Sequence, residues 1–214
     1  MPDIEVVSWD VDGTLYPMTR FRFELFRLAV ENLLTGRSSA KHIRAELKVL
    51  RQIRKYVTGL RATGGVLVNP GPLAGRAVSL RIEEKWYGEA IRRSGVSRLA
   101  ARLLHRFDSA GLRQIVVSDY LSSYKLKILG LEGRFDAAYA GEELGFFKPN
   151  PELFLKVAQD LGVDPGRILH IGDIVSRDAA AAGGAGLQTA IIGRDDQLLK
   201  HFLDGSVVSW KLVQ

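Results

Sequence analysis

Two aspartates stand one residue apart at the end of an apolar run, in the stretch VVSWDVDGTLYP of residues 6–17. If that run forms a β-strand, Asp10 and Asp12 point to the same side, because strand side chains alternate with period two. Two carboxylates held so close repel each other, and burial makes the repulsion more costly. The pair therefore indicates chemistry, such as nucleophilic attack, proton transfer or the binding of a hard cation.

Further polar residues follow other strand-like runs. Ser118 and Asp119 follow RQIVVS, Lys148 precedes PNPELF, and Asp173 and Asp178 lie in HIGDIVSRD. Ligands of open α/β sheets bind beyond the carboxyl ends of the strands, so we expect these side chains to meet at one edge. Mg²⁺ prefers oxygen ligands and would relieve the repulsion among the carboxylates.

Five short apolar runs are predicted to form the strands that carry these residues. They are mostly continuous rather than alternating, which is typical of strands covered on both faces of a parallel sheet. They span residues 4–9, 113–118, 137–141, 167–172 and 188–193. Helical stretches at residues 121–130, 151–162 and 177–186 separate the later strands, so the pattern predicts a doubly wound, Rossmann-like α/β fold. Residues 207–214 are predicted as a further edge strand.

A basic helical insert interrupts the α/β pattern after the first strand. Residues 18–58 have apolar positions at helical spacing, with Ser38 or Ser39 as a helix cap. A Gly- and Pro-rich loop is predicted at 59–75, and helix resumes at 76–95. We therefore expect a cap domain at 17–93 and a core domain formed by 1–16 and 94–214.

Four motifs, each placed after a strand, carry a family resemblance. The first is Asp-x-Asp-x-Thr at residues 10–14, the second is Ser118, the third is Lys148, and the fourth is Gly-Asp with a further aspartate at residues 172–178. In this order they resemble the motifs of the haloacid dehalogenase-like hydrolase superfamily. The helical insert matches in position the small helical cap of that superfamily.

The resemblance implies a covalent mechanism of phosphoryl transfer. Asp10 would attack phosphorus and form an aspartyl-phosphate, and Asp12 would protonate the leaving oxygen and later deprotonate the hydrolytic water. Mg²⁺ would be held by Asp10, by the backbone carbonyl of Asp12 and by Asp173. It would shield the attacking carboxylate from the anionic phosphate.

The same resemblance implies supporting roles for the other motif residues. Thr14, Ser118 and Lys148 would bind the phosphoryl oxygens, with Lys148 also balancing charge. Gly13 belongs to the first motif, and Asp178 would orient Lys148 or the water shell of the metal.

Asp119 departs from the family pattern, which often has Asn after the motif Ser or Thr. A second anion beside the phosphate would weaken binding unless it is turned away or meets an arginine of the insert.

Composition excludes several classes of protein. The chain has 214 residues and contains no cysteine, which excludes disulfides, thiol catalysis and cysteine-based metal sites. We find no signal peptide in residues 1–10 and no apolar run long enough to span a membrane, so we expect a cytoplasmic protein.

The net charge is unevenly distributed along the chain. Residues 17–110 hold 19 Lys and Arg against 7 Asp and Glu, a balance of +12, whereas the remaining residues hold 11 against 17, a balance of −6. A basic cap would steer anionic substrates toward an acidic core, by an attraction that salt screens. Most of these cations are nevertheless expected on a solvated helix face.

The sequence thus predicts a Mg²⁺-dependent phosphatase that acts on a small phosphorylated metabolite. A sugar-phosphate mutase stays open, whereas dehalogenases of the superfamily lack the second aspartate that is present here as Asp12. A phosphonate hydrolase needs a cap lysine, and nothing singles one out among Lys41, Lys48, Lys55 and Lys85. A non-catalytic member that binds protein or nucleic acid through the insert is the other class, although the insert contains no recognised nucleic-acid motif.

Overall fold

We describe a computed structural model of the chain, in which residues 4–69, 73 and 76–204 are placed. Five strands form one parallel sheet in the order β3-β2-β1-β4-β5. The strands are β1 Val6–Trp9, β2 Arg113–Ser118, β3 Ala137–Ala140, β4 Ile168–Gly172 and β5 Gln188–Ile191. All five predicted strands are therefore present, and the predicted strand at 207–214 lies outside the described residues.

The central strands are buried because helices cover both faces of the sheet. Val6, Val7, Ser8 and Trp9 are all fully buried, as expected for a continuous apolar run. In register, Trp9 lies beside Val116 of β2 and Ile171 of β4. The residues that follow these strands therefore emerge side by side, with β1 in the middle.

Helices surround the sheet and fill the stretch after β1. They are α1 Met18–Leu34, α2 Ala40–Ala62, α3 Arg76–Glu83, α4 Glu89–Ser94, α5 Arg98–Ser109, α6 Ser123–Ile128, α7 Gly141–Leu144, α8 Glu152–Leu161, α9 Ala180–Gly184 and α10 Asp196–Asp204. One π-helical turn, Glu84–Gly88, joins α3 to α4, and another, Val175–Ala179, precedes α9. A short 3₁₀ turn, Pro165–Arg167, leads into β4.

The structure decides between the two predicted caps, extends one predicted helix and adds another helix. Ser39, rather than Ser38, caps α2, because its hydroxyl accepts a hydrogen bond from the backbone N–H of His42 at 3.2 Å. Helix α2 runs to Ala62 and so extends into the predicted loop. Helix α10 was not predicted, and its Leu199 is buried in the main hydrophobic cluster.

The helices after β1 pack against the same cluster as the sheet. Phe21 and Leu28 of α1, Ile43 of α2 and Trp86 are buried together with Trp9 of β1. The division into a core domain and a cap domain at 17–93 stays a prediction. None of the described helices is long and apolar enough to cross a membrane. The expected cytoplasmic location also stays a prediction.

Candidate active site

A cavity lies at the carboxyl edge of the sheet, where the predicted motif residues meet. It encloses about 300 Å³, including space open to solvent. Its lining comes from the ends of β1, β2 and β4, from the loop before α8, from the π-helical turn Val175–Ala179 and from α2. The lining residues are Asp10, Asp12, Arg61, Ser118, Asp119, Tyr120, Lys148, Asp173, Arg177 and Asp178.

Lys148 joins two aspartates at the floor of this cavity. Its Nζ donates to Asp10 Oδ1 at 2.6 Å and to Asp178 Oδ1 at 2.7 Å, and it also donates to the backbone carbonyl of Val117 at 3.2 Å. Lys148 is only 2 % exposed, and both aspartates are buried. A lysine ammonium is tolerated at such depth only when its charge is paired, so the predicted third and fourth motifs form one charged network with Asp10.

The network shifts the protonation equilibria of its members. Burial raises the pKa of Asp10 to about 7, against the opposing effect of Lys148. Burial also acts to lower the pKa of Lys148, but Asp10 and Asp178 outweigh it and hold that pKa above its usual value. For Asp178, Lys148 and His170 overcome the effect of burial and hold the pKa well below its usual range. Lys148 and Asp178 are therefore a stable ion pair, and Asp10 is the group whose charge is least well compensated.

Asp12 lies beside a second lysine, which the sequence analysis missed. Lys125 Nζ donates to Asp12 Oδ1 at 2.6 Å and to Oδ2 at 2.7 Å. The hydroxyl of Tyr16 also donates to Oδ1. Burial acts to raise the pKa of Asp12, but Lys125 and the Tyr16 hydroxyl outweigh it, and the net effect is a lowered pKa.

A weak signal for Lys125 exists in the sequence. In the stretch LSSYKLKILG, Lys125 is four residues from both Leu121 and Leu129, so in a helix it shares a face with them. The structure buries Lys125, which is 3 % exposed, whereas Lys127 is exposed. A lysine on the apolar face of a short helix after a motif strand indicates a buried partner. The sequence alone does not identify that partner, because it lies 113 residues away.

Thr14 and Ser118 occupy different positions relative to the cavity. Ser118 ends β2, is 2 % exposed and lines the cavity. Thr14 is fully buried, and its hydroxyl donates to Asp10 Oδ2 at 3.3 Å. Contact of these hydroxyls with a phosphoryl group stays a prediction.

Asp119, the departure from the family pattern, meets an arginine of the insert. Arg61 donates to Asp119 Oδ2 through Nη2 and to the backbone carbonyl of Lys148 through Nε at 3.1 Å. Asp119 Oδ1 accepts the backbone N–H of Lys148 at 2.8 Å. The Asp119 carboxylate thus faces partners that neutralise its charge. It also links α2 to the loop that carries Lys148.

Asp173 packs tightly against the first motif. A Cβ added at Gly13, whose φ is +99°, would lie 2.0 Å from Asp173 Oδ2, so only glycine fits there. Similarly, a Cβ at Gly172 would lie 2.4 Å from the Cβ of Asp178. Burial, together with the charge of Asp178, raises the pKa of Asp173 to about 6.

The oxygen donors of the cavity suit a hard cation. Asp10 and Asp173 both line it and both have raised pKa values, the state that a bound cation would relieve. Each Asp10 oxygen that accepts one hydrogen bond keeps a further lone pair. Within the described part of the chain, no three or more His, Asp or Glu side chains are grouped to hold a metal. The predicted Mg²⁺ set requires only two side chains, because Asp12 contributes its backbone carbonyl.

A second cavity adjoins the first at Asp12 and Tyr120. It encloses about 350 Å³, including open space, and its lining combines α2, the helices after it and α6. The lining residues are Asp12, Leu50, Ile53, Arg54, Glu83, Tyr87, Tyr120 and Lys125. As far as the described residues go, neither cavity is lined by Lys41, Lys48, Lys55 or Lys85.

Two residues outside the motifs are fully buried in the strands of the sheet. His170 is fully buried in β4, with Ser8 Oγ 3.0 Å from its Nδ1, and burial lowers its pKa. Trp9 is fully buried, and its indole N–H donates to Gln114 Oε1 at 3.0 Å.

Comparison with known protein families gives one match over most of the chain. The model described as haloacid dehalogenase-like hydrolase matches residues 4–186. A glyceraldehyde 3-phosphate phosphatase of Methanopyrus kandleri is 28% identical over 210 residues, which cover 89% of this chain and 84% of that protein. A phosphoglycolate phosphatase of Aquifex aeolicus is 37% identical over 91 residues, which cover 41% of this chain and 42% of that protein.

Solved structures share the fold at low sequence identity. CbbY from Rhodobacter sphaeroides, solved in complex with xylulose-(1,5)bisphosphate, has a TM-score of 0.58 and 22% identity over 88% of this chain and 85% of its own. The putative hydrolase YfnB from Bacillus subtilis, bound to magnesium, has a TM-score of 0.61 and 21% identity over 91% of this chain and 89% of its own.

Proposed function

The chain belongs to the haloacid dehalogenase-like hydrolase family, and on that premise we propose that it is a Mg²⁺-dependent phosphatase of small phosphorylated metabolites. The observation that carries the proposal is the position of Asp10. This carboxylate is buried at the floor of a polar cavity, and Lys148 and Thr14 hold its two oxygens. A carboxylate so oriented serves as a nucleophile toward phosphorus.

In the first step Asp10 attacks the phosphorus atom of the substrate. The bond between phosphorus and the leaving oxygen breaks, and that oxygen takes a proton from Asp12. Entry of the anionic phosphoryl group adds negative charge beside Asp12, which favours the protonated acid that this step needs. The products are an alcohol and an aspartyl-phosphate on Asp10.

In the second step water attacks the aspartyl-phosphate and Asp12 takes up the proton of that water. The bond between phosphorus and Asp10 breaks, which releases inorganic phosphate and regenerates both carboxyl groups. Asp12 lines both cavities, so it reaches the leaving oxygen in the first step and the water in the second.

Lys148 and Ser118 stabilise the charge on the phosphoryl group, and Thr14 holds Asp10. Lys148 is fixed by Asp178, whose other oxygen accepts the backbone N–H of Ile174 at 2.9 Å. Preorganised donors of this kind are typically worth about 10²–10³ in kcat each. Asp10, Asp173 and the carbonyl of Asp12 would hold Mg²⁺, which shields the negative charge of the nucleophile and the phosphate when bound.

The second cavity is the proposed site of the leaving group. It shares Asp12 with the first cavity, so a leaving group bound there would lie beside the proposed acid. Two relatives are named for phosphates of small organic acids or aldehydes, which supports the same class of substrate. The alternative predicted from the sequence, a mutase, would use the same covalent step.

A substrate screen tests the proposal. The purified protein is incubated with a panel of phosphorylated two- to six-carbon metabolites and Mg²⁺, and phosphate release is measured. We expect release from at least one small ester, loss of activity after exhaustive chelation and recovery with Mg²⁺. Transfer of phosphate to a second position of the substrate, without net release, would indicate the mutase instead.

A further inference from the structure

Asp12 is held from two sides by groups outside the four motifs. Lys125 of α6 contacts both carboxylate oxygens within 2.7 Å, and the Tyr16 hydroxyl contacts Oδ1. In the described part of the chain, Oδ2 has no hydrogen-bonding partner besides Lys125. Oδ2 is therefore the oxygen left to exchange a proton with a ligand.

The burial of the Lys125 ammonium and the Tyr16 hydroxyl at this site needs an explanation. Lys125 is 3 % exposed and Tyr16 is 2 % exposed. Removing an ammonium from water is costly unless the charge is paired, and an apolar residue would fill this position on α6 at no such cost. The pair therefore serves something other than stability.

Both partners of Asp12 are rigidly supported. The ring of Tyr16 packs against Phe21, with ring centroids 5.6 Å apart. Helix α6 packs against α4 and the π-helical turn before it, where a Cβ added at Gly88 would lie 2.9 Å from Ile128 Cδ1. Lys125 thus approaches Asp12 from an element that is fixed to the helical insert.

We infer that Lys125 is a positioning residue, which together with Tyr16 fixes the Asp12 carboxylate where it exchanges protons with the leaving oxygen and the water. This inference rests on the proposed function. Asp12 lies at the junction of the two cavities, so rotation of its side chain would move Oδ2 out of reach of the leaving oxygen. A positioned acid or base contributes about 10²–10⁴-fold to a rate, and much of that depends on correct geometry.

The experiment compares Lys125→Met with the matched control Lys127→Met, which removes an exposed lysine from the same helix. Single-turnover release of the leaving group and the steady-state KM are measured for an alkyl phosphate and for 4-nitrophenyl phosphate, whose leaving group needs little protonation. For Lys125→Met we expect about a 10–100-fold slower release from the alkyl ester, a small change for the aryl ester and an unchanged KM. The control should match the wild type.

Two further variants keep the test independent of folding. Tyr16→Phe removes one hydrogen bond only and should give a smaller loss with the same dependence on the leaving group. Lys125→Arg, which retains a two-pronged donor, should recover part of the alkyl rate.

Three outcomes would overturn the inference. Equal losses on both esters together with a lower melting temperature would make Lys125 structural. A raised KM with an unchanged rate would make it a substrate ligand.

If the wild type hydrolysed no phosphoester, the proposed function would fail, and crystal structures would then decide this inference. An Asp12 carboxylate with the same orientation in the wild type and in Lys125→Met would refute it, and a displaced one would support it.

Discussion

The carboxyl edge of the sheet and the helical insert of residues 17–93 place their charges in opposite ways. At the sheet edge Asp10, Lys148 and Asp178 are buried, and the lysine Nζ lies 2.6 Å from Asp10 Oδ1 and 2.7 Å from Asp178 Oδ1. On the insert most Arg and Lys side chains are exposed. Only two of the described ones, Arg54 and Arg61, line the cavities.

The difference indicates that the sheet edge is suited to chemistry, and it makes the insert a candidate for substrate selection. Charges that are buried and paired at the sheet edge keep one geometry, because their partners and the packed backbone around them hold them in place. Arg61 is neutralised by Asp119, whereas Arg54 has no ion-pair partner among the described residues and lies over the ring of Tyr87 at 5.4 Å. Among the described residues of the insert, we therefore expect Arg54 to be the cation that an anionic ligand meets.

The strongest expected effect at the sheet edge is that of Asp10→Asn. Loss of the nucleophile should lower kcat by at least about 10³-fold, because an amide does not form the aspartyl-phosphate. Phosphate release and trapping of the phosphoenzyme measure this effect. Glu132→Gln, an exposed change of the same kind, should retain wild-type activity. Near wild-type turnover in Asp10→Asn would refute the covalent mechanism.

Lys148→Met tests whether the stability of the protein depends on the ammonium that pairs with the buried carboxylates of Asp10 and Asp178. Two buried carboxylates would lose their partner, so we expect a loss of about 3–5 kcal/mol in the free energy of unfolding near pH 8. Urea denaturation measures it, with Lys200→Met, an exposed lysine of α10, as the control. The loss should shrink as pH falls from 8 toward 4, because without Lys148 burial raises the pKa of Asp10 and Asp178 and protonation removes their unpaired charges. A loss independent of pH would contradict the electrostatic account.

Asp173→Asn concerns a carboxylate that the sheet edge holds without a lysine. Its pKa is raised from 3.8 to about 6, so the folded state keeps the proton more tightly and the metal-free protein loses stability as pH rises from about 4 to 6. The substitution should therefore stabilise the metal-free protein above pH 6 by at most about 1–3 kcal/mol, because solvent screens the partly exposed carboxylate and reduces the effect. It should also weaken the stabilisation by added Mg²⁺. Equal stability gains at pH 4 and pH 8 would be inconsistent with this reasoning.

The smallest expected effect belongs to the insert. Arg54→Gln should raise KM about three- to tenfold for phosphates that carry a second negative charge, such as a carboxylate, and little for singly charged ones. Steady-state kinetics at low and high salt measure it, and the difference should shrink as salt screens the charges. The matched control is Arg51→Gln, an exposed arginine one turn earlier in α2. If both variants behaved alike, the basicity of the insert would have no role in selection.

Much of the sheet edge was predictable because its residues follow strands in the sequence. Apolar runs precede Asp10 and Asp173, and a third run ends at Ser118. These runs predict the strands, and parallel strands bring their last residues to the same edge of the sheet. The family prediction, made from those motifs, is confirmed by the match over residues 4–186. The roles of the motif residues and the domain boundaries stay predictions.

The sequence alone determined that carboxylates, a hydroxyl and a lysine would gather at one edge, since local pattern sets strands and parallel strands align their ends. Only the tertiary structure decided how the charges pair. Lys125 meets Asp12 across 113 residues, and Arg61 meets Asp119 across 58. Such pairs depend on where the helices of the insert and α6 pack against the sheet. A local sequence pattern does not predict which side chains meet over such long separations along the chain.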